Sequence, residues 1–320
     1  MKFKNSKKYQ HLKIIGVILF FYILFKIDIQ EFFSIFKNIN LFYFFIAIIL
    51  LPLSPLLGIL KWKILINSQN IKISFRSLTG PFLKGLFLGT ITPGKFGEFW
   101  RAKYLADIIN ISKGKAFYTA FTDRLIDVIV ITIVSMAGII NLFLFNKIKT
   151  EWLIVFLFSI LVIFIIYFLI KKEKNRKFLK FLINFFIPSP IKNKINSFFN
   201  EFFNGFRQLN FVLFLRLMGF GFFYYLSAVL AFYFLALSLG ATISFFHLFL
   251  IVAIVRLLII IPISVLGLGV REASYIFFFA IFNITAPVAV AFSVMVLFAG
   301  IILSIPGLLL FLKKQKSSQL

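Results

Sequence analysis

Three blocks of the chain set ionisable side chains among apolar ones. Thr92-Pro93-Gly94-Lys95-Phe96-Gly97-Glu98-Phe99-Trp100-Arg101 breaks an apolar run and follows the break with charge. Asp123-Arg124-Leu125-Ile126-Asp127 opens another run, and Gly267-Leu268-Gly269-Val270-Arg271-Glu272 repeats the pattern of the first block. Arg256 stands alone, deep inside the apolar stretch 245–263. An arginine at that depth costs roughly 2.5–3.5 kcal/mol on insertion scales, and charge inside a membrane is by default a functional hypothesis. Arginine fits a phosphate well, because its planar fork is bidentate and always ionised. Carboxylates beside it can bind an amino or sugar group, or hold the arginines in place.

Asp123 and Asp127 lie four residues apart, so a helix puts both on one face, where like charges repel. A cation is expected between them, with Arg101 and Arg124 the evident candidates. The alternative is that both carboxylates sit in the first turns of an overlong span and face cytoplasmic water. A Mg²⁺ site on this pair is a further reading, but no other carboxylate cluster surrounds it and the chain has no cysteine. No metal and no cofactor are therefore expected. Gly94–Gly97 leads into a helix whose first N–H groups would be free, an end that attracts phosphate. The spacing lacks the nucleotide-loop signature. Lys61-Trp62-Lys63 reads as an interface anchor, and Gly85 with Gly89 as a helix-packing pair.

These residues need a scaffold that works in lipid. Of the 320 residues, 61% are hydrophobic and 14% charged, too few polar groups to cover a soluble domain of this length. Several apolar runs are long enough to cross a hydrocarbon core of about 30 Å, and they lack the period-two alternation of a barrel. The net charge of +25 is carried by loops between the runs. That pattern indicates positive-inside topology and contact with anionic lipid, and no nucleic-acid partner.

The runs assign full spans near 14–25, 40–60 (bent by Pro52 and Pro55), 117–145, 152–170, 211–239 and 287–312. Segments 78–109 and 245–283 are each interrupted, at Pro93, Gly94 and Gly97 and at Gly267 and Gly269. If both enter the membrane and leave on the same side, all the strongly basic loops and both termini fall in the cytoplasm. The expected fold is an all-α polytopic membrane protein of six full spans plus two re-entrant helical hairpins. Span, hairpin, span then occurs twice in opposite orientations, the pattern of an inverted repeat whose broken helices meet at a substrate site. Within 171–210, Ile191, Ile195, Phe198, Phe199, Phe202, Phe203 and Phe206 form an apolar stripe. It predicts a cytoplasmic interfacial amphipathic segment, or a helix packed against the spans.

The order TPGKFGEFWRAKYL, DRLID at 123–127 and GLGVREAS at 267–274 resembles the flippase-like membrane region of lysylphosphatidylglycerol synthases and their stand-alone relatives, over essentially the whole chain. The resemblance implies a single integral membrane domain, 1–320, that moves or helps to move a polar-headed lipid. It singles out Pro93, Gly94, Gly97, Glu98, Arg101, Asp123, Arg124, Asp127, Gly269, Arg271 and Glu272. The synthases add a soluble aminoacyl-transferase domain. This chain ends at Leu320, so lysyl transfer is not implied.

The reading is a non-enzymatic, flippase-like transporter in the cytoplasmic membrane. Its substrate would be a phospholipid or polyprenyl-phosphate lipid with an anionic or zwitterionic head. Lys95, Glu98, Arg101, Asp123, Arg124, Asp127, Arg256, Arg271 and Glu272 would line the headgroup path. Envelope lipid-modifying enzymes and further copies of the chain are the expected protein partners. An integral-membrane lipid transferase and a non-catalytic partner of envelope enzymes are the alternatives.

Overall fold

A computed structural model describes residues 7–145, 160, 189–260 and 266–317. All regular structure among them is helical. The helices are α1 (Lys7–Lys26), α2 (Ile29–Lys37), α3 (Leu41–Leu50), α4 (Leu53–Asn67), α5 (Phe75–Ile91), α6 (Arg101–Ile109), α7 (Lys113–Leu144), α8 (Ser189–Arg207), α9 (Phe211–Ser238), α10 (Phe245–Ile260), α11 (Val270–Ala280) and α12 (Ala286–Ser317). A 3₁₀ segment, Pro93–Trp100, joins α5 to α6. Four stretches are long and apolar enough to cross a membrane: Leu41–Asn67, Lys113–Leu144, Phe211–Ser238 and Ala286–Lys313. They coincide with four of the six expected spans. The expected span at 14–25 falls inside α1, and the one at 152–170 lies outside the described residues. Leu41–Asn67 is divided at Leu51 and Pro52, where the proline ends one helix and starts the next.

Polar side chains fix where the helices begin. Asn40, Ser74, Ser112 and Asn210 each accept a hydrogen bond from a backbone N–H in the first turn that follows, satisfying a donor that the helix itself leaves unpaired. Many large apolar side chains, among them Phe25, Phe42, Ile49 and Phe211, point outward, as a lipid-facing surface requires.

At each interrupted segment the chain doubles back. After α5, Gly94 and Lys95 both take left-handed backbone angles (φ 59° in each) and turn the chain. Gly97 then packs on the Leu88 carbonyl, Glu98 on Gly89 and Arg101 on Gly85. This order is antiparallel, so Pro93–Trp100 and α6 run back along α5. After α10, Leu266 and Gly267 are again left-handed, Gly267 lies against Ile259, and α11 packs on α10. Residues 261–265, between them, lie outside the described residues. Gly269 closes against the backbone of Gly16, so α1 covers this second turn.

The packing repeats as well. α5 lies on α12 while α10 lies on α7, α4 meets α5 and α7 while α9 meets α10 and α12, and α6 packs on α7 as α11 packs on α12. α4 and α9 meet each other at the centre of this exchange. α7 also packs on α9, without an equally extensive counterpart between α12 and α4.

Three rings of the α8 stripe pack on α7. Phe198 and Phe202 each lie 5.6 Å, ring to ring, from Phe117, and Phe206 stands edge-on to Tyr118 at 4.8 Å. The 171–188 part of the expected interfacial segment lies outside the described residues.

Candidate functional site: a charged hub beside the first hairpin

α7 presents Asp123, Arg124 and Asp127 to the first hairpin on one side and to α4 on the other. Arg101 Nη2 donates to Asp123 Oδ2 at 2.6 Å and to the Ala120 carbonyl at 3.2 Å. Its guanidinium is held 4.7 Å from the Trp62 ring and 5.4 Å from Phe82, the geometry in which a ring face attracts a cation. Arg124 pairs with Glu98, and lies 3.5 Å from Asp127. Lys61, from α4, sits between the two aspartates: its Nζ is 3.2 Å from Asp123 Oδ1 and bonded to Asp127. Lys61, Arg101 and Asp123 are each at most 2% exposed.

Two readings are corrected here. Lys61-Trp62-Lys63 is not an interface anchor. Lys61 is enclosed, and Trp62 is buried with its indole N–H donating to Thr119 Oγ1 at 3.1 Å. Nor do Asp123 and Asp127 face cytoplasmic water, since they are 2% and 8% exposed. Arg101 and Arg124 do approach the aspartates as expected, but the cation that touches both is Lys61. Its ammonium occupies the position a divalent ion would need between the carboxylates. The sequence hid this because Lys61 and Asp123 are distant in the chain, and a Lys-Trp-Lys triplet has the composition of an interfacial belt.

The small residues of α5 make this burial feasible. A Cβ at Gly89 would enter the Glu98 side chain, and one at Gly85 would come within 2.9 Å of Arg101 Cβ. The glycine pair thus packs helix on helix, as expected, and what it admits is a charged surface. The expectation of a free helix end at Gly94–Gly97 is also corrected. Thr92 Oγ1 accepts from the Gly97 N–H at 2.7 Å, and the Thr92 carbonyl accepts from the Lys95 N–H at 3.2 Å. The turn consumes those amides itself.

Lys61, Arg101 and Arg124 balance Glu98, Asp123 and Asp127. Lys95 and Arg256 lie outside this balance. Neither makes an ion pair among the described residues. Arg256, from α10, has its guanidinium 5.3 Å from the Tyr225 ring and 5.4 Å from Phe232. Lys95 is exposed, with Arg124, Arg256 and Asp127 as its charged neighbours. A Cβ on Gly94 would lie 3.4 Å from the Ile260 carbonyl, so the first turn abuts the end of the helix that carries Arg256. Lys95 also holds φ 59° without being glycine, a conformation that costs on the order of 1–3 kcal/mol and gathers at functional positions.

The second hairpin contributes a separate cluster. Arg271 Nη2 bonds Glu272 Oε1 at 2.7 Å, its Nε donates to Ser293 Oγ at 2.7 Å, and Ser293 Oγ is 2.8 Å from Glu272 Oε1. Glu272 Oε2 accepts from the Gly269 N–H at 2.7 Å. Of the residues read from the sequence, the structure brings together Glu98, Arg101, Asp123, Arg124 and Asp127, with Lys95 and Arg256 beside them. It sets Arg271 and Glu272 apart on Ser293.

Residues 12–307 match the family described as the lysylphosphatidylglycerol synthase TM region. The chain belongs to this family. Among its relatives, the UPF0104 membrane protein MJ1595 of Methanocaldococcus jannaschii is 28% identical over 309 residues, covering 91% of this chain and 90% of that protein. The UPF0104 membrane protein PH1989 of Pyrococcus horikoshii is 31% identical over 134 residues, 41% of this chain and 39% of that protein. No solved structure matches. The match spans both hairpins and α7.

Proposed function

We propose that this family member is a flippase-like transporter that passes the head of a phospholipid or polyprenyl-phosphate lipid across the cytoplasmic membrane, with the lipid chains remaining in the hydrocarbon. The observation that carries the reading is the pair of cations left over at the first turn. Lys95 and Arg256 have no ion-pair partner among the described residues, and the turn that carries Lys95 abuts the end of the helix that carries Arg256. Like charges gathered at one turn repel each other, so the turn is matched to an anion that comes and goes. A phosphate head has that charge, and an arginine beside a lysine suits its oxygens.

In this reading the two helical hairpins are re-entrant, the chain has six full spans, and the halves form an inverted repeat with both termini in the cytoplasm. The exchange of packing partners between the halves supports the repeat. The basic loops support the orientation. The neutral hub of Lys61, Arg101, Arg124, Glu98, Asp123 and Asp127 holds the turn that presents Lys95. Arg271 and Glu272 do the same for the second turn.

The test is translocation of a head-labelled phospholipid and a polyprenyl phosphate in proteoliposomes. Lys95→Ala/Arg256→Ala is expected to fall to the protein-free rate for whichever lipid the wild type moves, while remaining monodisperse in detergent. A well-folded double variant that flips as fast as the wild type removes this site from the mechanism.

A further inference from the structure

The 3₁₀ segment and α6 have two faces. Glu98 and Arg101 point into the hub. Phe96, Phe99, Trp100 and Lys103 point the other way, into a groove of about 300 Å³ completed by Ala102, Lys113, Phe117 and Phe198. Its rings form a continuous series: Phe96 lies 6.4 Å from Phe99, Phe99 5.6 Å from Phe117, and Phe117 5.6 Å from Phe198. Phe96 and Trp100 are more than half exposed, at 61% and 54%, so the series reaches the outer surface. Lys103 and Lys113 are exposed beside it, and the Lys103 ammonium lies 5.7 Å from the Trp100 ring centre. No acidic side chain lines the groove among the described residues. The volume is at the lower end for a ligand pocket.

We infer that this groove binds one anionic membrane phospholipid, its phosphate between Lys103 and Lys113 and an acyl chain along Phe96, Phe99 and Phe117. Charge complementarity selects the occupant. An unlined apolar slot would take any chain, but two unopposed lysines at its edge favour a net negative head, and lysine beside an aromatic ring is the usual chemistry of the headgroup boundary. Neither Lys95 nor Arg256 lines the groove, so the inference requires a membrane around the chain but not transport.

The experiment is native mass spectrometry of the detergent-extracted full chain titrated with phosphatidylglycerol or phosphatidylcholine. The wild type is expected to retain one phosphatidylglycerol at least about tenfold more tightly than phosphatidylcholine, and Lys103→Ala/Lys113→Ala to lose most of that preference. Phe96→Glu, at an exposed position, is expected to weaken the same single adduct. Lys72→Ala/Arg76→Ala removes two exposed cations elsewhere and is expected to change it by less than about twofold. Equal retention of both lipids by the wild type, or equal loss in the control and the groove variants, overturns the site. The Lys95→Ala/Arg256→Ala protein should keep the adduct even though its translocation is lost, which separates failure of this inference from failure of the transport reading.

Discussion

The two hairpins begin alike and are filled differently. Ser68, Asn70, Ile73, Ser74, Phe75 and Leu78 in the first half recur at one fixed separation as Ser238, Gly240, Ile243, Ser244, Phe245 and Leu248. Asn70 and Gly240 are both left-handed, and Ser74 and Ser244 accept from the backbone N–H of Ser77 and His247. The same separation pairs Gly97 with Gly267 and Arg101 with Arg271. After a short insertion, Asn110-Ile111-Ser112 recurs as Asn283-Ile284-Thr285. Arg101 donates to the Ala120 carbonyl, and Arg271 to the Ser293 hydroxyl at the position equivalent to Ala120. Around this shared frame the first half adds Lys61, Asp123, Arg124 and Asp127. Their equivalents are Ala231, Val296, Leu297 and Gly300. One plan thus yields a first half with a network of six paired charges and a second half whose paired charges are Arg271 and Glu272, with Arg256 set over aromatic rings. The backbone frame does not require the charge.

That contrast can be broken most severely at Lys61. Lys61→Ala leaves two buried aspartates short of a cation and is expected to destabilise by about 3–5 kcal/mol, read as a loss of monodisperse protein on size-exclusion chromatography and a fall in Tm in detergent. Arg271→Ala, in the other half, leaves Glu272 still accepting from Gly269 N–H and Ser293, so its fall in Tm should be smaller. An equal fall in both would erase the difference between the halves.

Gly89→Ala drives a methyl into Glu98 and should cost about 1–3 kcal/mol, again measured by thermal unfolding. Gly300→Ala, where a Cβ meets nothing within 4 Å, should stay within about 0.5 kcal/mol of wild type. Because Gly300 is the equivalent of Asp127, a large effect there would show that the apolar half is as tightly built as the charged one. The smallest effects test likeness rather than difference: Ser74→Ala and Ser244→Ala should each cost about 1 kcal/mol, with the two falls in Tm agreeing. A marked inequality would weaken the equivalence of the two caps.

Much of the candidate site was legible before the fold. Charge in an apolar chain is conspicuous, so Glu98, Arg101, Asp123, Arg124 and Asp127 could be picked out as a group, and Arg101 and Arg124 could be assigned to the aspartates from the repulsion of two carboxylates on one face. Lys61 was not legible, because a lysine next to tryptophan carries the same signal whether it anchors a span or neutralises a buried pair. The correspondence between the two halves was only partly legible. A glycine-rich break followed by Glu and Arg is visible in each half, whereas the recurring Ile-Ser-Phe caps are three short identities whose weight becomes clear once both are seen to start equivalent helices. Arg256 illustrates a limit of arguing from cost. Its depth requires compensation, and acidic partners are the first expectation, but the faces of Tyr225 and Phe232 supply it among the described residues.

The sequence by itself determined that this chain is a bundle of apolar helices interrupted twice, because hydrophobic run length, proline and glycine act locally and leave a direct record in residue order. It also determined which side chains are expensive, since the cost of a charge among apolar neighbours does not depend on its partner. Tertiary structure decided who pairs with whom. Ion pairing depends on distances of a few ångströms between helices far apart in the chain, and only their packing makes Lys61 part of the hub, places Arg271 on Ser293, and leaves Lys95 and Arg256 without an acidic partner among the described residues.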